Sequence, residues 1–182
     1  MNYKELSDTE ILTLLSTDKK ERAFRALFER YHPFVLKKCK RFIKDYAEAE
    51  DMAQHIFLKL DSRYQSFEGK STFKTWLYSI TYRDCLVYLR DAKKFNVKSI
   101  NIEELKEEYA HIDLEVDIDM ETNRNLDLLN QIDPLDKALL LMKYKDGMKL
   151  KTISLALDLG ESNVKMRLKR AKARLLKLRA AQ

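Results

Sequence analysis

Three glycines and two prolines are all that interrupts 182 residues. Folds built on sheets spend both residue types on their many turns, so this scarcity excludes them and leaves long helices with few connections. Two cysteines, Cys39 and Cys85, lie far apart within helical patterns, which excludes a disulfide scaffold and fits a reducing compartment. His32, His55 and His111 are scattered and form no ligand pair with the cysteines at metal spacing. Asp51 and His55, four apart on one helix, would make half a metal site, but no second half accompanies them. A phosphate-cradling Gly-rich loop and a nucleophile motif are also missing. The sequence thus predicts no enzyme, no metal and no cofactor. No apolar run approaches the roughly 20 residues that span a bilayer, and Met1-Asn2-Tyr3-Lys4-Glu5 lacks the apolar stretch of a secretory signal. These absences predict a cytoplasmic protein without membrane insertion.

What is abundant agrees. Hydrophobic residues make up 45% and charged residues 35%, and strong helix formers dominate, so the expected fold class is all-α. The net charge of +6 and pI near 9.1 point to a polyanionic partner. Charge is segregated. Residues 103–121 carry nine acids against Lys106, a net of −8, whereas residues 137–182 carry thirteen Lys or Arg against three acids, a net of +10. A solvated helix face ordinarily mixes both signs.

Periodicity divides the chain into three parts. Ser7 and Asp8 open a short capped helix. Phe24, Leu27, Phe28, Tyr31, Phe34, Val35 and Cys39 recur at helical spacings over about 21–43, with Pro33 as a kink or a new start. A third helix covers about 47–60. A loop at 61–71 holds Gly69, and Ser71 is the expected cap of a fourth helix ending near Arg90. These make one domain, 1–92. Residues 93–122 lose apolar density and read as an acidic linker held extended by like charge. Residues 123–182 form a second helical domain. Asp133 caps a helix with Pro134 at its first position, and Gly147 is its expected left-handed cap.

The second domain ends in a short helix, a turn at Asp158-Leu159-Gly160 and a long basic helix, the dimensions of a helix-turn-helix. Val164, Leu168, Ala171, Leu175 and Leu178 form its apolar stripe. Ser162, Met166 and Lys169 point the opposite way, flanked by Lys165 and Arg170, and are the candidates to enter a major groove. Lys172, Arg174 and Lys177 would sit over phosphates.

The run Val164-Lys-x-Arg167-Leu168-x-Arg170-Ala171 after that turn resembles region 4 of bacterial sigma factors. Ala23-Phe24-x-x-Leu27-Phe28-x-x-Tyr31, Ala49-Glu50-Asp51-Met52-x-Gln54-x-x-Phe57-Leu58 and Phe67-x-Gly69-x-Ser71-x-Phe73-Lys74-Thr75-Trp76 resemble successive parts of region 2. A region 2 joined to a region 4 with no domain between them is the layout of the extracytoplasmic-function class of RNA polymerase sigma factors. The resemblance implies a factor that binds core RNA polymerase, at its clamp helices and flap, and directs promoter recognition and melting in transcription initiation. Asp51, Gln54, Phe57 and Leu58 would meet the polymerase. Phe67, Glu68, Gly69, Lys70, Ser71, Lys74, Tyr78 and Tyr82 would hold the minus-ten element, since aromatics interleaved with lysines suit unstacked bases. Trp76 falls on the apolar stripe and reads as core. Ser162, Asn163, Lys165, Met166, Arg167, Lys169 and Arg170 would read the minus-thirty-five element. An anti-sigma protein is a further partner that the resemblance admits.

Four positions depart from the family pattern: His55 in place of an acid, Asp84 in place of a common Asn, Ser154 in place of Ala and Asp158 in place of Gly. An acid at 84, near the promoter-reading helix, would repel phosphate or alter base preference. Two rival readings use the basic end alone. One is a dimeric DNA-binding regulator, the other a helical adaptor for an acidic protein.

Overall fold

The computed structural model describes residues 2–94 and 127–181. The chain forms two compact units, Met1–Cys85 and Leu86–Gln182. Among the described residues every regular element is helical. From residue 95 onward the acidic segment lies outside the described residues.

Helix α1 (Asp8–Leu14) starts with a capping box. The Glu10 amide donates to the Ser7 side chain, and the Ser7 amide donates to Glu10. Helix α2 (Lys20–Cys39) continues unbroken past Pro33, which lies on its exposed side, where water can solvate the carbonyl the proline leaves unbonded. Helix α3 (Tyr46–Arg63) is capped by Asp45, which accepts from the Glu48 amide at 3.0 Å. Helix α4 (Phe73–Lys94) reaches past the expected end near Arg90. Its cap is Thr72, not Ser71: the Thr75 amide donates to Thr72 Oγ1 at 3.2 Å.

The core of the first unit lies between α1, α2, α3 and the start of α4. Ala23, Ala49 and Ala53 are fully buried where α2 meets α3, so the two backbones can approach closely. Phe57 fills the space beside them, edge-on to Phe24 at 6.4 Å and to Phe28 at 4.8 Å between ring centroids. Two polar contacts tie the N-terminal segment to α2. Arg30 donates to Asp8 at 2.7 Å and to the Leu6 carbonyl at 2.8 Å. Tyr31 donates its hydroxyl to the other Asp8 oxygen. Burial first, and that bond second, push the Tyr31 hydroxyl well above its ordinary range.

In the second unit, residues 127–129 are helical. Helix α5 (Pro134–Leu140) begins as the sequence predicts, with Asp133 accepting from the amides of Leu135 and Asp136 and Pro134 in the first turn. It continues as one wider turn, Leu141–Lys145, where the Asp146 amide reaches back five residues to Leu141. Gly147 stops it at φ +66°, and the Met148 amide returns to the Met142 carbonyl at 3.0 Å. Helices α6 (Leu150–Leu157) and α7 (Glu161–Ala180) follow, both against the same core.

Candidate nucleic-acid interface

The exposed side of α3 is built by elimination. Ala49, Ala53, Ile56, Phe57 and Leu60 take the buried face, which leaves Asp51, Gln54, His55 and Leu58 at helical spacing on the outside. Leu58 is 71% exposed, an apolar side chain held in water among polar neighbours. Phe57 does not join them. It is buried among Phe24, Phe28 and His32, so its place in the pattern is explained by packing, which corrects the expectation of a contact residue.

The loop before α4 carries an aromatic cluster. Phe67 lies 5.8 Å from Phe73 and 5.4 Å from Trp76, ring to ring. Phe73 is buried against Tyr31, while Phe67 and Trp76 are only half-buried. Glu68 and Lys70 pair at the loop tip around Gly69, whose φ of +69° few other residues would adopt. Two expectations are reversed here. Tyr82 is fully buried and Tyr78 nearly so, under the Lys38 ammonium, which sits 4.0 Å from the Tyr78 ring centre and 5.2 Å from that of Tyr82. Trp76, expected in the core, is only partly covered. It is half-buried, its ring 5.4 Å from Phe67 and 5.7 Å from Phe73.

Asp84 is likewise not a surface acid. It is buried and paired with Lys59 at 2.9 Å, so its charge is balanced within the unit and faces no phosphate. Phe34, expected within the apolar face of α2, stands 53% exposed instead.

In the second unit, Asp158 explains its own departure from the family pattern. It adopts the left-handed conformation, φ 54° and ψ 49°, that ends α6. Asp is one of the few side chains that tolerate it. Ser154 holds the turn from the other side: its hydroxyl donates to the Leu159 carbonyl, and the Leu159 amide returns to the Ser154 carbonyl at 3.0 Å. Gly160 then caps α7 in an extended conformation.

Helix α7 buries Val164, Leu168, Ala171 and Leu175, as the stripe predicts. Ser162, Asn163, Lys165, Met166 and Arg170 are exposed, and Lys169 is partly so. Arg167 is withdrawn from this face. Its Nε donates to Asp136 at 2.9 Å, and its Nη2 lies 2.7 Å from Asp136 and 3.3 Å from Asp133, which ties α7 to the start of α5. Burial raises the Asp136 carboxyl above its ordinary range, against the opposing pull of Arg167. Lys172 is fully buried, its ammonium 5.6 Å from the Tyr144 ring centre. It lies over no phosphate, contrary to expectation. Ala171, Lys172 and Ala173 are buried in succession, which interrupts the exposed basic side of α7 between Arg170 and Arg174.

Among the described residues no group of His, Cys, Asp and Glu side chains is arranged to hold a metal ion, and no helix is long and apolar enough to cross a membrane. Residues 27–95 match the family model of sigma-70 region 2, and residues 125–175 match that of sigma-70 region 4. The chain is 24% identical over 151 residues to the ECF RNA polymerase sigma factor SigX of Bacillus subtilis, covering 80% of this chain and 77% of that one. It is 42% identical over 60 residues to the RNA polymerase sigma-H factor of Pseudomonas aeruginosa, covering 33% and 31%. Among solved structures, CnrH in complex with the cytosolic domain of CnrY matches with a TM-score of 0.62 at 18% identity, covering 100% of this chain and 99% of that one. The sigma factor RpoE with the anti-sigma factor NepR from Bartonella quintana gives 0.60 at 18%, covering 85% and 95%. Structural likeness at such identity speaks for the fold, while the two region matches fall one on each side of the acidic segment. The chain belongs to the sigma-70 family, as an extracytoplasmic-function sigma factor that directs promoter-specific transcription initiation.

Proposed function

We propose that residues 1–92 dock on core RNA polymerase and hold the opened minus-ten element, that residues 123–182 read the minus-thirty-five element, and that residues 93–122 tether the two. The polymerase face is Asp51, Gln54 and Leu58, with His55 between them. The minus-ten face is the loop Phe67–Ser71 with Trp76 and Lys74. Ser162, Asn163, Lys165, Met166, Lys169 and Arg170 enter the major groove. Catalysis remains with the polymerase, and the cytoplasm, where polymerase and promoter DNA meet, is the compartment.

One observation carries this reading. A single chain presents an exposed leucine among polar side chains on α3 and a basic, core-free face on the helix after a tight turn. A regulator working through its helix-turn-helix alone has no use for the first. An anti-sigma protein is the partner we propose for the free factor, by likeness to the complexes of RpoE with NepR and of CnrH with CnrY. The acidic segment, net −8 over 103–121, would lie against basic surface in the absence of polymerase. Its deletion then raises binding to free promoter DNA.

The test is co-elution with core polymerase on a sizing column, followed by open-complex formation on a fork-junction promoter library. Wild type should co-elute and select a promoter subset, and Leu58→Asp should not co-elute. If residues 1–92 also fail to bind core polymerase, the reading falls.

A further inference from the structure

Two aromatics on the surface of the first unit, Phe34 and Tyr46, belong neither to the core nor to the loop cluster, and Phe34 is the one that a cation from α4 approaches. Phe34 is 53% exposed near the end of α2, and the Lys74 ammonium from α4 stands 6.0 Å from its ring centre and 5.8 Å from that of Tyr78. The chain around it carries charge of one sign. Residues 31–44 contain Lys37, Lys38, Lys40, Arg41 and Lys44 and no acid, and residues 71–83 contain Lys74 and Arg83 and no acid. Lys74 and Trp76 are two residues apart on α4, so they leave the helix on different sides, and Lys74 extends the proposed minus-ten face from the Phe67–Trp76 rings toward Phe34.

We propose that Phe34 and Lys74 form a second stacking site for single-stranded DNA, taking one unpaired base on the Phe34 ring and its adjoining phosphate on Lys74. The chemistry follows from the parts. An exposed flat ring offers a face to another flat, apolar face, and its surroundings demand that the molecule bearing that face be anionic. A nucleotide joins both properties in one unit. Phe34 projects from a convex helix surface, so it meets the face of a base only when that base has left the duplex stack. The inference rests on the proposed role of the first unit in holding opened promoter DNA, and adds to it a contact on α2.

The experiment uses the full chain bound to core polymerase, with oligothymidylate and an abasic oligomer of the same length as probes. Phe34→Ala should weaken oligothymidylate binding by about 5- to 150-fold, the range of one stacked base, and leave abasic binding unchanged. Phe34→Trp should bind as wild type does, and Phe34→Leu as Phe34→Ala does, because leucine keeps the apolar bulk without the ring. Lys74→Gln should lower the slope of log affinity against log salt by about 0.7, one single-strand phosphate contact. Trp76→Ala serves as the reference for the loop cluster. If Phe34→Ala or Phe34→Leu binds oligothymidylate as wild type does while Trp76→Ala is weakened, the inference is overturned and the reading of the unit stands. If wild type itself does not distinguish oligothymidylate from the abasic oligomer, both fall. Loss of polymerase co-elution in Phe34→Ala with DNA binding intact would make Phe34 a protein contact and overturn the inference.

Discussion

Replacing Arg167 separates two roles that its sequence position confuses. In the groove-facing role, Arg167→Ala weakens DNA binding and leaves the fold alone. In the structure the guanidinium is held by Asp136 and Asp133 at 2.7–3.3 Å, with side-chain exposures of 29% for Arg167, 17% for Asp136 and 48% for Asp133. An exposed ion pair contributes about 0.2–1 kcal/mol, and breaking a buried one costs about 3–5 kcal/mol because a charge is left unpaired. This pair is intermediate in burial, so Arg167→Ala should destabilise the second unit by about 2 kcal/mol. At 1.4 kcal/mol per tenfold, that speeds amide exchange limited by opening of the unit roughly 30-fold. Hydrogen exchange read by mass spectrometry suits the question, since it localises the effect to α5 and α7, whereas the single tryptophan, Trp76, reports on the other unit. Burial already raises the folded-state Asp136 carboxyl, and removing Arg167 raises it further. A carboxyl raised on folding favours the folded state below its unfolded value, and that benefit is lost as pH climbs through the folded value. The Arg167→Ala deficit should therefore be largest at neutral pH and shrink as pH falls toward the ordinary aspartate range. Unchanged exchange in α5 and α7 together with lost promoter binding would refute the structural role.

Asp158→Gly should stabilise the second unit by about 0.5–1 kcal/mol, because glycine adopts the left-handed conformation without the strain of a side chain, and thermal unfolding followed by circular dichroism would show it. Phe57→Ala should cost about 3–5 kcal/mol in the first unit by leaving a cavity, whereas Leu58→Ala should stay within about 0.5 kcal/mol and lose polymerase co-elution. Lys59→Met should destabilise the first unit by leaving the Asp84 charge buried and unpaired, and adding Asp84→Asn should restore most of the loss in urea unfolding.

Local chemistry made the fold readable. Ser7 with Glu10, Asp133 before Pro134, and Gly147 each specify a helix end through bonds within a few residues, and each is found where the residues predict. Periodicity likewise places the buried face of α7. It fails where burial is decided by another element. Tyr82, Phe57 and Lys172 occupy positions that looked accessible or functional, and the neighbouring helices cover them. Phe34 and Trp76 lie on apolar stripes, yet Phe34 is 53% exposed and Trp76 only half-buried. Arg167 shows a third cause: its partners are 31 and 34 residues away in sequence, so no local pattern announces them. A cluster of candidate contacts was legible, while the choice among adjacent residues awaited tertiary structure.

The same lesson applies to charge and leads to a quantitative expectation. Thirteen Lys or Arg lie between residues 137 and 182, and a reading from composition would turn each toward DNA. The structure buries Lys137 and Lys172 and ties Arg167 to two aspartates. On α7 the exposed cations are Lys165, Arg170, Arg174, Lys177 and Arg179, with Lys169 partly exposed. Each phosphate neutralised on duplex DNA contributes about 0.9 to the slope of log affinity against log salt. Five such contacts give about −4 to −5 from this helix, well short of what the basic tail would give as a whole. In the polymerase complex on duplex minus-thirty-five DNA, Lys165→Gln should reduce the slope by about 0.9. Lys172→Met, which replaces a fully buried ammonium by an apolar side chain of similar shape, should leave the slope unchanged. A loss of slope in Lys172→Met as large as that in Lys165→Gln would mean that Lys172 emerges to meet DNA, and the division drawn here between buried and groove-facing cations would be wrong.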